Sequence, residues 1–247
     1  MLSSEEEERQ HRVQALVSDF KQNSTSFFKD RHWTTRERGV EGQKLTLLEA
    51  ECGTGNCLFP LLEEDLNIFA YACVIFSPRA VDYVKQKPLY NTESCKVFQR
   101  DLTRDDLLDH IPPESAVAVT LIFVLSSVRP EKRHLVSLNV YKVLKPGRSA
   151  LFRDYGLHDS AVLRFKAGRK LGENFYVRQD GTRCYFFTDK FLAKLFVDAG
   201  YEEVLNKYVF RETVNKKEGL GVPRVFLQIK FWKPPKDTDP TIDSASL

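Results

Sequence analysis

Ten consecutive residues, Ala116 to Leu125, contain no charged side chain and a single polar one, Thr120. A strand that apolar on both faces must be covered on both, which is the condition of a parallel sheet flanked by helices. The surrounding pattern supplies the helices. Leu45 to Leu48 reads as a first strand, followed by the glycine-bearing loop Glu51 to Asn56 and a short helix ending near Glu64. Ile68 to Ile75 reads as a second strand, with Ser77 as N-cap and Pro78 as first residue of the next helix. Lys96 to Gln99 is a third strand, Pro130 to Leu144 an amphipathic helix, and Ser149 to Phe152 a fifth strand running into Arg153, Asp154 and Tyr155.

Two stretches depart from this alternation. Ser3 or Ser4 with Glu6 and Glu7 reads as a capping box opening a helix to about Lys21, an arm ahead of the domain. Residues Gly156 to Phe187 are rich in Arg, Lys and aromatics, and Gln179 to Thr182 reads as a turn between two short strands. This is an insertion over the ligand-binding face. Thr188 then caps a helix to Gly200, and Glu203–Arg211 with Arg224–Trp232 close the chain as an antiparallel pair. The organisation expected is an arm over 1–40, one domain over 41–232 with its insertion at about 156–187, and a disordered tail over 233–247.

Composition narrows the partners only a little. A net charge of +3 does not by itself imply nucleic acid, because a phosphate-binding footprint depends on where cations cluster. Five scattered cysteines form no CxxC pair, so no zinc site or disulfide framework is expected and a reducing compartment, cytosol or nucleus, is favoured. No apolar run reaches the ~20 residues that span a bilayer, so no membrane role is expected.

In an open parallel sheet, ligands bind beyond the carboxyl ends of the strands, and the glycine loop after the first strand is the usual contact. Here that loop reads Glu49, Ala50, Glu51, Cys52, Gly53, Thr54, Gly55. Two glycines alone serve dinucleotides, S-adenosylmethionine (SAM) or merely a tight turn.

More specific stretches are FFKDRHWTTRE (27–37), NIFAYAC (67–73), LIFVLS (121–126), LFRDYGL (151–157), LGENFYVRQDGTR (171–183) and residues 210–228. Together they resemble the methyltransferase-like tRNA N3-methylcytidine methyltransferases, and within that family the branch acting on serine tRNA. The resemblance spans nearly the whole chain. It implies an α/β, Rossmann-like class I SAM-dependent methyltransferase fold, with a mostly parallel sheet and an antiparallel C-terminal strand pair. It also implies transfer of a SAM methyl to the cytidine opening the anticodon loop, and seryl-tRNA synthetase as a partner.

Carried over residue by residue, the resemblance gives SAM contacts at Glu51, Gly53, Gly55, Asp101 and Ile122. Asp154 is expected to orient the cytosine amino group and favour the charge that methylation creates, with Tyr155 as a stacking surface; a strand-end salt bridge is the alternative for Asp154. Arg31, Trp33, Arg153, Arg178 and Arg183 are the expected RNA contacts, although Trp33 also reads as an anchor packed on the core. Three positions depart from the family. Glu51 replaces a loop glycine, where its side chain would intrude or repel the methionine carboxylate unless turned outward. Val74 and Ile75 replace an Asp that accepts both ribose hydroxyls, an exchange that also threatens the strand's register. A Trp and Tyr lid expected between Lys21 and Asn23 is missing. These departures keep a second reading open, a non-catalytic RNA- or partner-binding relative; a small-molecule methyltransferase is a third.

Overall fold

The computed structural model of the chain describes residues 44–63, 68–75, 77–215 and 220–236. The expected N-terminal arm, with Arg31 and Trp33, and the lid position at 21–23 lie outside these residues, as does the tail from 237 onward. The chain forms two units that divide after Gln99.

The first unit is a set of parallel strands: β1 (Leu45–Ala50), β2 (Ile68–Val74) and β3 (Cys95–Gln99), with β2 in the middle. Helices α1 (Leu58–Glu63) and α2 (Pro78–Lys85) connect them. Ser77 caps α2 as its sequence position requires, its hydroxyl accepting from the Ala80 N–H at 3.3 Å with Pro78 at the first helical position. Leu58, Phe59, Ala70, Val74, Val84 and Val97 pack into one apolar cluster beneath the strands. Pairing runs without a break from Leu45 opposite Ile68 to Ala50 opposite Cys73, and from Ala70 opposite Cys95 to Val74 opposite Gln99. The feared register shift is therefore absent: the residues in place of the family's Asp sit at the strand's very end, where no pairing follows.

The second unit carries β4 (Ala116–Ile122), β5 (Leu144–Tyr155), β9 (Glu202–Asn215) and β10 (Leu220–Trp232). β4 and β5 are parallel, while β10 lies antiparallel to both β5 and β9. β4 is buried along almost its whole length, as its apolar sequence demands. The helix expected from Pro130 divides into a 3-10 turn, Pro130–Lys132, and α3 (Arg133–Val143). Asn139 on α3 fixes the segment after β3: its amide oxygen accepts from the Leu107 N–H and its NH2 donates to the carbonyls of Leu102 and Asp105.

The insertion is a small antiparallel sheet, β6 (Lys170–Gly172), β7 (Phe175–Val177) and β8 (Arg183–Tyr185), preceded by 3-10 turns. Its Gln179–Thr182 turn closes with the Arg178 N–H on the Thr182 carbonyl and Gly181 at φ +82°. Helix α4 (Asp189–Val197) follows, capped by Thr188. Ordered chain continues past Trp232. Lys233 is buried, and its ammonium donates to the carbonyls of Tyr141 and Leu144 at 2.8 Å and to Glu114 at 3.3 Å, so the expected tail boundary moves outward.

Candidate active site

In the first unit, the loop leaving β1 alternates through left-handed backbone at Glu51 (φ +64°), Gly53 (φ +55°) and Gly55 (φ +86°). The Cys52 N–H donates to the Cys73 carbonyl at 2.8 Å, and the Gly55 N–H turns back to the Cys52 carbonyl. The two glycines serve different needs. A side chain at Gly55 would collide with the Phe59 ring on α1, so this glycine is required by packing; a Cβ at Gly53 would meet nothing within 4 Å, so the backbone there is open to a ligand.

Glu51 neither points to solvent nor stands as a bare charge. Its Oε2 accepts from the Ile75 N–H at 3.0 Å, just beyond the end of β2, and burial pushes its carboxyl up to about 7. The expected repulsion of a ligand carboxylate is thereby weakened, since near neutrality the group is only partly ionised. The substitution still has a cost: a non-glycine residue in left-handed backbone loses roughly 1–2 kcal/mol.

Glu49, not expected from the sequence, is the more telling acid. It is buried at the end of β1, bonded to the Cys57 thiol and the Leu58 N–H, and its Oε2 has no hydrogen-bond partner among the described residues. Burial raises its pKa to about 8. An orphaned carboxylate oxygen beside an open glycine backbone fits a ligand carrying an ammonium group, as the amino-acid end of SAM does. Its readable signal was a single charged residue in a mostly apolar strand.

In the second unit, Asp101 opens the segment after β3. Its Oδ1 accepts from the Thr103 N–H at 2.9 Å and hydroxyl at 2.7 Å, and its Oδ2 pairs with Arg104 at 3.4 Å. The carboxylate expected to meet the adenine amino group is thus first a turn-former. Ile122 ends β4 half-exposed, and Phe123 follows in left-handed backbone at φ +57°, its N–H on the Arg153 carbonyl. Left-handed backbone at a bulky aromatic residue is strained, and such positions cluster at ligand-binding sites.

Asp154 is fully buried, with Oδ2 accepting from the Ser126 N–H and Oδ1 from the Tyr155 N–H, both at 2.9 Å. Burial raises its pKa to about 6. With the carboxylate sealed from solvent and a backbone N–H on each oxygen, what this geometry shows is a positioning role, exerted through the loop and ring it holds, rather than an open grip on a base. Tyr155 lies among Phe123 (4.9 Å between centroids), Phe186 (5.8 Å) and Phe226 (6.1 Å), with the guanidinium carbons of Arg178 at 5.2 Å and Arg224 at 5.7 Å from its ring centre. Burial pushes its phenol up to about 12, so it is neutral here.

Of the expected RNA contacts, Arg178 reaches Tyr155 and Arg183 is half-exposed on β8. Arg153 is a correction. Its side chain is buried, with the guanidinium 4.8 Å from the Phe226 ring centre, so it offers no surface contact to a phosphate. Arg164, Lys166, Arg169 and Lys170 are exposed on the insertion.

Sequence reading missed three residues that organise this face. Asp159, buried, accepts from Arg224 Nε at 2.9 and 3.1 Å and from the N–H groups of Val225 and Ala161, which fixes Arg224 beside Tyr155. Arg133, buried, donates from Nε to the carbonyls of Leu125 and Val128 and lies 3.8 Å from the Tyr185 ring centre, tying the loop that carries Ser126 to the insertion. Arg224 is 69 positions from Tyr155, and only the β10–β5 register, Phe226 opposite Tyr155, brings it there. Among the described residues no cluster of three His, Cys, Asp or Glu side chains could hold a metal ion, and no helix is long and apolar enough to cross a membrane.

A family model for the methyltransferase domain matches residues 6–206. The tRNA N(3)-cytidine methyltransferase METTL6 of Rattus norvegicus is 76% identical, covering 100% of this chain and 94% of its own length. The human protein of that name is 69% identical over 98% of this chain and 93% of its own. Among solved structures, a SAM-dependent methyltransferase from Methanosarcina mazei aligns with a TM-score of 0.58 at 19% identity, covering 78% of this chain and 94% of its own. The Burkholderia thailandensis 1,6-didemethyltoxoflavin-N1-methyltransferase, bound to S-adenosylhomocysteine, aligns at 0.53 with 13% identity over 95% of this chain and 92% of its own. The fold is that of class I SAM-dependent methyltransferases, and the chain belongs to the tRNA N(3)-cytidine methyltransferase family.

Proposed function

We propose that this chain transfers a methyl group from SAM to N3 of a cytidine in the anticodon loop of tRNA, with serine tRNA as its substrate. The observation that carries the reading is the Tyr155 cluster: one neutral ring set between two guanidiniums and three phenylalanines, directly after a buried carboxylate. A base drawn out of its stack needs an aromatic face, and its flanking phosphates need fixed cations.

SAM supplies the methyl as an electrophile on a sulfonium centre. Cytosine N3 already holds a free lone pair at neutral pH, so no side chain has to remove a proton, and the protein's task is alignment and charge placement. Glu49 and the Gly53 backbone fit the amino-acid end of the cofactor. On the substrate side, Asp154 fixes the backbone of Ser126 and Tyr155, while its negative charge offsets the positive charge that arrives on the base. The exposed cations of the insertion provide the salt-dependent share of tRNA affinity.

The test is a methyl-transfer assay on unmodified serine tRNA, with other tRNAs as controls and in the presence and absence of seryl-tRNA synthetase, the partner we infer. Turnover confined to serine tRNA supports the reading, and stimulation by the synthetase supports the partner. The non-catalytic alternative is motivated by the strained Glu51 and the missing acid at the end of β2. Calorimetry with S-adenosylhomocysteine decides against the enzyme if no binding occurs while tRNA is still bound.

A further inference from the structure

In doubly wound nucleotide-binding folds, an acidic side chain near the end of the second strand, about 20 residues after the glycine loop, accepts hydrogen bonds from the ribose hydroxyls. Here that position holds Val74 and Ile75, both buried and neither able to accept from a hydroxyl. A carboxylate nevertheless stands there. It belongs to Glu51, whose Oε2 is bound to the Ile75 N–H at 3.0 Å.

We propose that Glu51 has taken over the ribose-binding role, its carboxylate delivered from the glycine loop to the end of β2 and its second oxygen, Oε1, accepting from the cofactor's ribose hydroxyls. This inference rests on the SAM-dependent reading above.

Three observations support it. The Ile75 hydrogen bond engages Oε2, and among the described residues no hydrogen bond or ion pair to Oε1 accompanies it. Glu51 is half-buried rather than sealed, so a ligand can reach it. Independently, the neighbouring acid, Glu49, presents a buried oxygen without a partner, and the Gly53 backbone is open, so the same loop is built to receive a ligand. The left-handed backbone at Glu51 then has a use: it directs the side chain toward the second strand. Its position also explains how a family glycine can become glutamate without filling the space at Gly53.

Among the described residues the negative charge of Glu51 raises the pKa of both Glu49 on β1 and the Cys52 thiol in the loop, so Glu49 and Glu51 disfavour each other's ionisation. A ribose hydroxyl adds a donor without adding charge, and so suits this surrounding better than an anion would.

The experiment compares binding of S-adenosylhomocysteine and its 2′-deoxyribose analogue by calorimetry to the full chain, to Glu51→Gly and to Glu51→Gln. The wild-type chain is expected to prefer the ribose form by roughly ten- to a hundredfold, the range of a charge-assisted hydrogen bond. In Glu51→Gly that preference falls to within about twofold, and affinity for the ribose form drops by the same factor. Glu51→Gln, which keeps an acceptor for Ile75, retains the fold and an intermediate preference. Glycine suits the left-handed backbone, so loss of the preference with a circular dichroism spectrum like the wild type's cannot be assigned to unfolding. A preference unchanged in Glu51→Gly, or a tighter complex in that variant, overturns the inference while leaving the enzyme reading intact. Absence of S-adenosylhomocysteine binding to the wild-type chain overturns both.

Discussion

Asp154 shows how a buried charge can act at one remove. With both oxygens on backbone N–H groups, it fixes the loop after β4 and the start of the Tyr155 cluster together. Replacing it by Asn substitutes a donor for one acceptor and leaves one of those N–H groups unbonded, a loss of about 1–3 kcal/mol. Asp154→Asn is therefore expected to lower the urea midpoint and reduce kcat at least tenfold, with both measured on the same preparation. A pH profile adds a second check. Burial raises the Asp154 pKa to about 6, and the ionised form is the one that offsets charge on the methylated base, so kcat should fall as pH drops through 6. A flat profile from pH 8 to 5 would remove Asp154 from the reaction. Arg224 has a different signature. Its guanidinium is aimed by Asp159 through two bonds to Nε, which a lysine cannot reproduce. Arg224→Lys should raise KM for tRNA several-fold while S-adenosylhomocysteine affinity stays unchanged, a split readable from steady-state kinetics and calorimetry.

At the scale of elements, most of the scaffold was legible because it rests on local rules. The apolar run that became β4, the Ser77–Pro78 start of α2, the Thr188 cap of α4 and the Gln179–Thr182 turn each follow from residue chemistry within a few positions. The glycine loop after β1 was legible as a tight turn, but the separate duties of its glycines were not, since the collision at Gly55 depends on where Phe59 comes to lie. The site residues that escaped notice, Asp159, Arg133 and Arg224, act through hydrogen bonds between segments distant in sequence, and Arg153 was misplaced because β5 is covered on both faces there, so neither side of the strand reaches the surface. Gly55→Ala is expected to destabilise the start of α1 by about 1–3 kcal/mol through overpacking against Phe59 and to abolish cofactor binding. Thermal melting and calorimetry would show it, and an unchanged melt would mean that α1 is not held by this contact. On the insertion, the double charge reversal Arg169→Glu with Lys170→Glu should weaken tRNA binding and flatten its dependence on salt, because every phosphate left without its cation takes about one unit from the slope of log K against log salt.

For the molecule as a whole, the three carboxyls whose pKa burial raises make a joint statement about stability. Glu49, Glu51 and Asp154 are raised by burial to about 8, 7 and 6, whereas in the unfolded chain they ionise near 4. Between those limits the folded protein holds more protons than the unfolded one. Stability contributed by the three is then fully present below about pH 4 and is lost stepwise as pH rises through 6, 7 and 8. Carboxylates shifted the other way, Asp106 beside Lys142 and Glu114 beside Lys233 and Lys236, titrate below this window and do not mask the trend. The urea midpoint of the ligand-free protein should accordingly fall from pH 5.5 to pH 8.5. In Glu49→Gln, neutral throughout, the last part of that fall should disappear. If the Glu49 carboxylate receives the ammonium group of the cofactor, saturating S-adenosylhomocysteine should stabilise the wild-type protein more at pH 8.5 than at pH 6, since the ligand then partners a charge that the apo protein leaves buried. Equal stabilisation at both pH values would separate Glu49 from the cofactor, and a midpoint rising with pH in the apo protein would show that these acids are ionised in the fold at little cost.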